Sequence, residues 1–255
     1  MPSIRAPLDQ TVYDIVMEHL TKLADYLPGP VKKAGGTRDH LLRRYRNDPV
    51  YSIFGLDSGE YLAAMLAGGS VTSIHRKLGD IYEGCIRAIF TRSLNLSPDQ
   101  VVYSATIRSG TAEETRSADS YLQFDLLSPD ASARINAYCT RELQQLATNP
   151  QINLIGVGME VRHCYATGDS KRTQADEAMA RHLLVSGILP VMPMFCNQSN
   201  PGIVQRYRSV WVVKQGMESY DMVREMSGYD FYDCLNRNKE DFRKPVLSLL
   251  RSLSA

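Results

Sequence analysis

One stretch constrains this chain more than any other: Asn153 to Arg181, reading NLIGVGMEVRHCYATGDSKRTQADEAMAR. It begins as an apolar run in which Leu154, Ile155, Val157, Met159 and Val161 alternate with small glycines, the pattern of a buried strand. Two charges, Glu160 and Arg162, then interrupt it. Side chains alternate along a strand, so these two share a face, opposite Val157, Met159 and Val161. Burying an unpartnered charge is costly, so an acid and a base at the polar end of a buried strand need a reason. One reason is an internal ion pair. The other is a site for a metal ion and a phosphate.

The rest of the chain supplies the frame. At 255 residues with 44% apolar side chains, it has the size and composition of one large globular domain or a domain with an arm. No run approaches the length of a membrane span. The opening MPSIRAPLDQ lacks the charged-then-apolar layout of a secretory leader, so a cytoplasmic protein is expected. Five scattered cysteines (85, 139, 164, 196 and 234) contain no C-x-x-C pair and read as reduced thiols, mostly core filler, with no zinc site. The net charge of +1 means that a polyanion must be met by local patches.

Apolar spacing predicts a helix over 8–27, closed by Pro28-Gly29-Pro30. The window from Val31 to Arg46 follows, with six basic residues (Lys32, Lys33, Arg38, Arg43, Arg44 and Arg46) against Asp39. It is either a solvated face or a phosphate-contacting arm. A short helix within 51–66 is expected to stop at Gly68-Gly69-Ser70, before a strong helix over 71–94. Glu83 lies at the edge of that helix's apolar stripe and reads mainly as a boundary residue. Strands are expected at 101–108 and 115–127, forming a hairpin, with Asp119 and Asp125 on one face of the second. Further helices are expected at 131–147, 170–185, 217–227 and 238–253. The strand 188–196 contains Pro190 and Pro193, which favour a place near a sheet edge. Residues 204–213 are ambiguous between helix and strand. Residues 1–70 thus read as a helical, basic arm region and 71–255 as the main body.

The order of elements resembles the PD-(D/E)XK nuclease superfamily and, within it, the type II restriction endonucleases. The likeness rests on Ser117-Ala118-Asp119 for a first acid and Gly158-Met159-Glu160-Val161-Arg162 for a second acid and a base. The following helix and the strand ILPVMPMFC complete it. It covers about residues 71 to 196. The resemblance implies an α/β fold, with a mixed central sheet flanked by helices, and a restriction-endonuclease-like core behind an N-terminal helical arm. It implies Mg²⁺-dependent hydrolysis of a specific double-stranded DNA sequence by a homodimer, with Asp119 and Glu160 as metal ligands. Two letters depart from the family pattern: Ala118 replaces a proline, and Arg162 stands where lysine is usual. Arginine stays protonated, so it neutralises phosphate charge but cannot serve as a base. Lys171 is the candidate to supply the missing ammonium.

Two carboxylates from adjacent strands suit Mg²⁺, which keeps several of its waters, and a nearby cation stabilises charge developing on the phosphate. Asp125 rivals Asp119 for the first place. Candidate DNA contacts are Lys32, Lys33, Arg38, Arg43 and Arg44 in the arm, and Arg172 and Gln174 on the helix after the central strand. Asn197, Gln198 and Asn200 in an amide-rich loop, with Arg206 and Arg208, complete the set. His163 and Cys164 face opposite ways as strand neighbours and make a poor nucleophile pair. The alternatives are a DNA-binding protein of the same fold without catalysis, and an α/β protein in which Glu160 and Arg162 form a stabilising pair.

Overall fold

A computed structural model describes residues 6–24, 37–47, 57–109, 112–146, 152–165 and 170–254. The chain divides into two compact units: Met1–Ile15 with Gly79–Arg237, and Val16–Leu78 with Asn238–Ala255. The C-terminal helix therefore groups with residues 16–78 and not with the sheet-bearing body expected to span 71–255. Two helices, α1 (Pro7–Ala24) and α3 (Gly59–Ser93), run from one unit into the other.

The smaller unit is helical. Helix α2 (Arg38–Arg46) starts at Thr37, whose side chain accepts a hydrogen bond from the His40 N–H. Leu41 packs with Leu62 and Leu66 of α3. The expected break at Gly68-Gly69-Ser70 does not occur, and α3 continues through it. Glycine costs a helix interior only about 1 kcal/mol, which the long flanking helical stretches overcome.

The larger unit is α/β. After a 3-10 turn at Pro98–Val101, strands β1 (Tyr103–Ser109) and β2 (Ala112–Ala118) form an antiparallel hairpin. The expected long second strand is split. Asp119 is a one-residue corner, and β3 (Ser120–Gln123) leaves the hairpin to join a separate sheet. A 3-10 turn at Phe124–Leu126 and helix α4 (Pro129–Leu143) follow, with Ser128 capping α4. Next come β4 (Gly156–Met159), α5 (Ser170–Val185), β5 (Ile188–Met194), α6 (Pro201–Tyr207) and β6 (Val212–Gln215). Helices α7 (Met217–Ser227), α8 (Phe231–Arg237) and α9 (Lys239–Ser254) complete the order. The ambiguous segment 204–213 is the end of α6, a turn and the start of β6.

The main sheet has strand order β3-β4-β5-β6, with β3 antiparallel to β4 and the other pairs parallel. This makes β5 an interior strand, contrary to the edge position its prolines suggested. Pro190 is tolerated because the ladder to β6 begins only at Val191. Pro193 has a sharper effect. The Glu160 N–H bonds to the Val191 carbonyl and the Arg162 N–H to the Pro193 carbonyl. The return bond to the Glu160 carbonyl would come from residue 193, and proline has no N–H to give. Regular β4 accordingly ends at Met159, and pairing resumes only as a single bridge between Arg162 and Met194. The acid and base of the central stretch lie where this ladder is interrupted.

One core of this unit joins Met179, Ala180 and Leu183 of α5 to Met192 and Met194 of β5, Tyr207 and Trp211. Elsewhere Tyr82 of α3 stacks on Phe195 at 4.4 Å between ring centres, and α4 packs against α7. Gly187 adopts φ +74° between α5 and β5, the conformation expected of a helix stop.

Two glycines are expected to respond oppositely to alanine. A Cβ at Gly156 would lie 2.6 Å from the Leu122 carbonyl oxygen, whereas one at Gly68 meets nothing within 4 Å. Gly156→Ala is expected to lower stability by about 1–3 kcal/mol and Gly68→Ala to raise it by about 1 kcal/mol, both read by urea denaturation.

Candidate active site

The corner at Asp119 places its carboxylate beside the end of β4. In the antiparallel register Ser120 faces Met159, so the residue before one meets the residue after the other. The Val161 N–H donates to Asp119 Oδ2 at 2.8 Å, and Arg87 Nε of α3 donates to the Asp119 carbonyl at 2.5 Å. Asp125 is at the other end of β3, exposed in the 3-10 turn past the pairing of Gln123 with Gly156. The rivalry between the two aspartates is thus decided by strand direction. They do not share a strand, and only Asp119 reaches Glu160 and Arg162.

Glu160 and Arg162 share a face, as strand alternation requires, and are joined by a hydrogen-bonded ion pair through Nη2. The same guanidinium reaches Asp119 Oδ2 at 3.5 Å through Nη1 and Asp176 Oδ1 at 3.2 Å through Nη2. Nη1 also donates to the Val161 carbonyl at 3.0 Å. Three carboxylates therefore crowd one cation whose side chain is only 10% exposed. Nε of Arg162 is buried with no hydrogen-bond partner among the described residues.

Asp176 is the member that sequence reasoning missed. It stands on α5, with Oδ2 accepting from the Tyr207 hydroxyl at 2.7 Å and the Tyr165 hydroxyl at 3.0 Å. The indole N–H of Trp211 donates to its carbonyl at 3.2 Å. A signal was present: Thr173, Asp176, Ala180 and Leu183 follow helical spacing and are all buried, so an acid occupies a core-facing position.

Burial and crowding set the protonation behaviour. Burial pushes the Glu160 carboxyl upward, Arg162 pulls it down, and Asp119 and Asp176 push it up again. The upward effects win, and burial is the largest of them. Asp119 is also raised, chiefly by burial, against Arg162 and the Val161 N–H. Burial pulls Arg162 down, but Glu160, Asp176 and Asp119 outweigh it and hold its pKa above the ordinary value. Glu83 of α3 is raised by burial and by Asp119, and pairs with Arg87 at 2.9 Å.

Other candidates are dispersed. Lys32 and Lys33 lie outside the described residues, as do the side chains of Arg38 and Lys171, although Lys171 sits in the first turn of α5. Arg43 and Arg44 are exposed on α2, in the smaller unit. Arg172 and Gln174 are exposed on α5, and the Arg172 guanidinium lies 5.9 Å from the Tyr165 ring centre. Asn197 and Gln198 are exposed after β5. Asn200 caps α6, accepting from the Gly202 N–H at 2.9 Å, and Arg206 pairs with Glu177 at 2.6 Å. Arg208 is exposed just after α6.

Two of the five cysteines are not the reduced thiols expected from their scatter. Cys164 and Cys196 form a disulfide with Cα atoms 5.5 Å apart, while Cys85, Cys139 and Cys234 are buried thiols outside it. Thirty-two residues separate the pair in sequence. Only the parallel alignment of the chain beyond β4 and β5 brings them together.

Among the described residues, no group of three or more His, Cys, Asp or Glu side chains is arranged to hold a metal ion. A site of two carboxylates completed by water is a smaller donor set, and it suits Mg²⁺. Asp119 and Glu160 are the two carboxylates that would supply it, since both reach one guanidinium. Among the described residues, no helix is long and apolar enough to cross a membrane. No family model, curated protein or solved structure matches the chain.

The raised carboxyls have a pH consequence. Between the unfolded and folded pKa of Glu160, the folded protein holds a proton that the unfolded chain has lost, so stability falls as pH rises through that interval. Metal-free wild type is expected to lose melting temperature steadily from the ordinary carboxylate range upward, and Glu160→Gln to flatten that slope. Arg162→Leu should cost about 3–5 kcal/mol at neutral pH, because it leaves buried carboxylates without their cation. Melts across a pH series check both.

Proposed function

We propose that this protein is a Mg²⁺-dependent endonuclease of the type II restriction class, acting on double-stranded DNA as a homodimer. The observation that carries the reading is the convergence of Asp119 and Glu160, from neighbouring strands, on one buried guanidinium with negative charge in excess. Asp119 and Glu160 would hold the ion. When bound, the ion supplies an activated water and a counter-charge to the scissile phosphate. Arg162 orients both carboxylates and adds positive charge near the phosphate, but accepts no proton. Lys171, in the first turn of α5, is the residue we propose to do so.

Placement supports the proposal. The cluster, the start of α5 with Arg172 and Gln174, and the exposed amides Asn197 and Gln198 all follow the C-terminal ends of parallel strands β4 and β5. Ligands of open α/β sheets gather at that end. Lysine and arginine of the arm would add phosphate contacts.

A second reading, a DNA-binding protein without cleavage, is favoured by one observation: Nη1 and Nη2 of Arg162 are already engaged by the protein's own oxygens. One assay separates the two. Incubated with Mg²⁺, mixed-sequence plasmid is expected to give discrete fragments. Asp119→Asn and Glu160→Gln should each lower the rate by at least about two orders of magnitude while electrophoretic DNA binding persists. Binding without cutting by wild type, across Mg²⁺ and Mn²⁺, would decide for the second reading.

A further inference from the structure

Five described residues follow Glu160 in a run that no helix or regular strand holds: Val161, Arg162, His163, Cys164 and Tyr165. Beside them lies the chain leaving β5. The Phe195 N–H bonds to the Arg162 carbonyl, the Cys196 N–H to the His163 carbonyl, and the Asn200 N–H to the Tyr165 carbonyl. The Tyr165 N–H in turn donates to Ser199 Oγ at 3.0 Å. The Cys164–Cys196 bond joins the two segments covalently, two residues beyond the bridge between Arg162 and Met194. Both cysteines are half-buried, and exposed Asn197 and Gln198 follow Cys196 directly. The Gln198 N–H lies 3.3 Å from Cys196 Sγ, and Ser199 Oγ lies 3.7 Å from Cys164 Sγ. These donors favour sulfur departing as thiolate.

We propose that Cys164 and Cys196 form a thiol–disulfide switch that determines whether Arg162 and Tyr165 are held in the carboxylate cluster. Arg162 carries the guanidinium that the three carboxylates share, and Tyr165 holds Asp176, so the disulfide clamps the strip that supplies both. The reductant is a dithiol. Its thiolate attacks one sulfur, the S–S bond breaks and the other cysteine leaves as thiolate. The second thiol then displaces the mixed disulfide. Two electrons and two protons reach the cysteines as the dithiol becomes a disulfide. In the reduced protein, the strip 162–165 is held to its neighbour by hydrogen bonds alone. The structural part of the proposal stands independently of the nuclease reading; its effect on metal binding rests on that reading.

The test uses the full chain equilibrated in dithiothreitol buffers of graded reduced-to-oxidised ratio, acid-quenched, alkylated and mapped by mass spectrometry. One two-electron transition confined to Cys164 and Cys196 is expected, with three thiols present throughout. Amide exchange over 162–165 should be several-fold faster in the reduced state, and calorimetric Mg²⁺ affinity about tenfold weaker. The double variant C164S/C196S should show the reduced behaviour in every buffer; if it fails to fold, the wild-type titration decides. Five alkylatable thiols at all ratios, or equal exchange in the two states, would overturn the switch. Exchange that responds while Mg²⁺ affinity does not would overturn its control of the cluster. Absence of Mg²⁺ binding in both states would count against the nuclease reading, and the exchange result alone would then judge the switch.

Discussion

The larger unit depends on one guanidinium. Arg162 is buried at the end of the central strand, and Asp119, Glu160 and Asp176 reach it from a β corner, the strand itself and a helix. Each would be an unfavourable buried charge alone. Together they are tolerable because the guanidinium is planar, permanently charged and able to donate to several acceptors. The arrangement is not balanced, however. Among the described residues, one guanidinium is in contact with all three carboxylates, and the negative charge left over favours taking up a proton or a cation.

Backbone geometry explains why the cluster sits where it does. Pro193 lacks the N–H that would have closed the ladder onto Glu160, so the sheet loosens at the residue whose carboxylate joins the cluster. Beyond the gap, pairing is restored by Arg162 with Met194 and reinforced by the disulfide. On the other side, the corner at Asp119 takes the chain from the hairpin into the main sheet. Its carbonyl and carboxylate are held separately, by Arg87 and by the Val161 N–H. The carboxylates are therefore preorganised by main-chain contacts as well as by the ion pairs. Asp176 is fixed more firmly still, with two tyrosine hydroxyls and Arg162 on its carboxylate.

Such a cluster lends itself to more than one use. A buried network confined to the protein's own groups would specify a unique core without contributing much net stability. Access to a divalent ion would instead convert the charge excess into binding energy. The second use is the one proposed, and it rests on the site's place after the C-terminal ends of the parallel strands. The occupied guanidinium is the counterweight, since a phosphate would have to compete with carboxylates for it.

Much of this was legible in the residues. Alternation along the central stretch found the buried strand, which is Gly156–Met159 and leaves Leu154 half-buried and Ile155 exposed. It also put Glu160 and Arg162 on one face, and the helices over 170–185 and 217–227 were expected where they lie. Those signals are local, and local periodicity survives without knowledge of partners. The sequence also determined that Arg162 could not be a base, because that is a property of the side chain. Only the tertiary structure decided that Asp119 and not Asp125 joins the cluster, that Asp176 is its third carboxylate, that β5 is interior despite its prolines, and that Cys164 pairs with Cys196. Each of these depends on strand direction and register, which juxtapose residues tens of positions apart. No pattern read along a single segment encodes that juxtaposition.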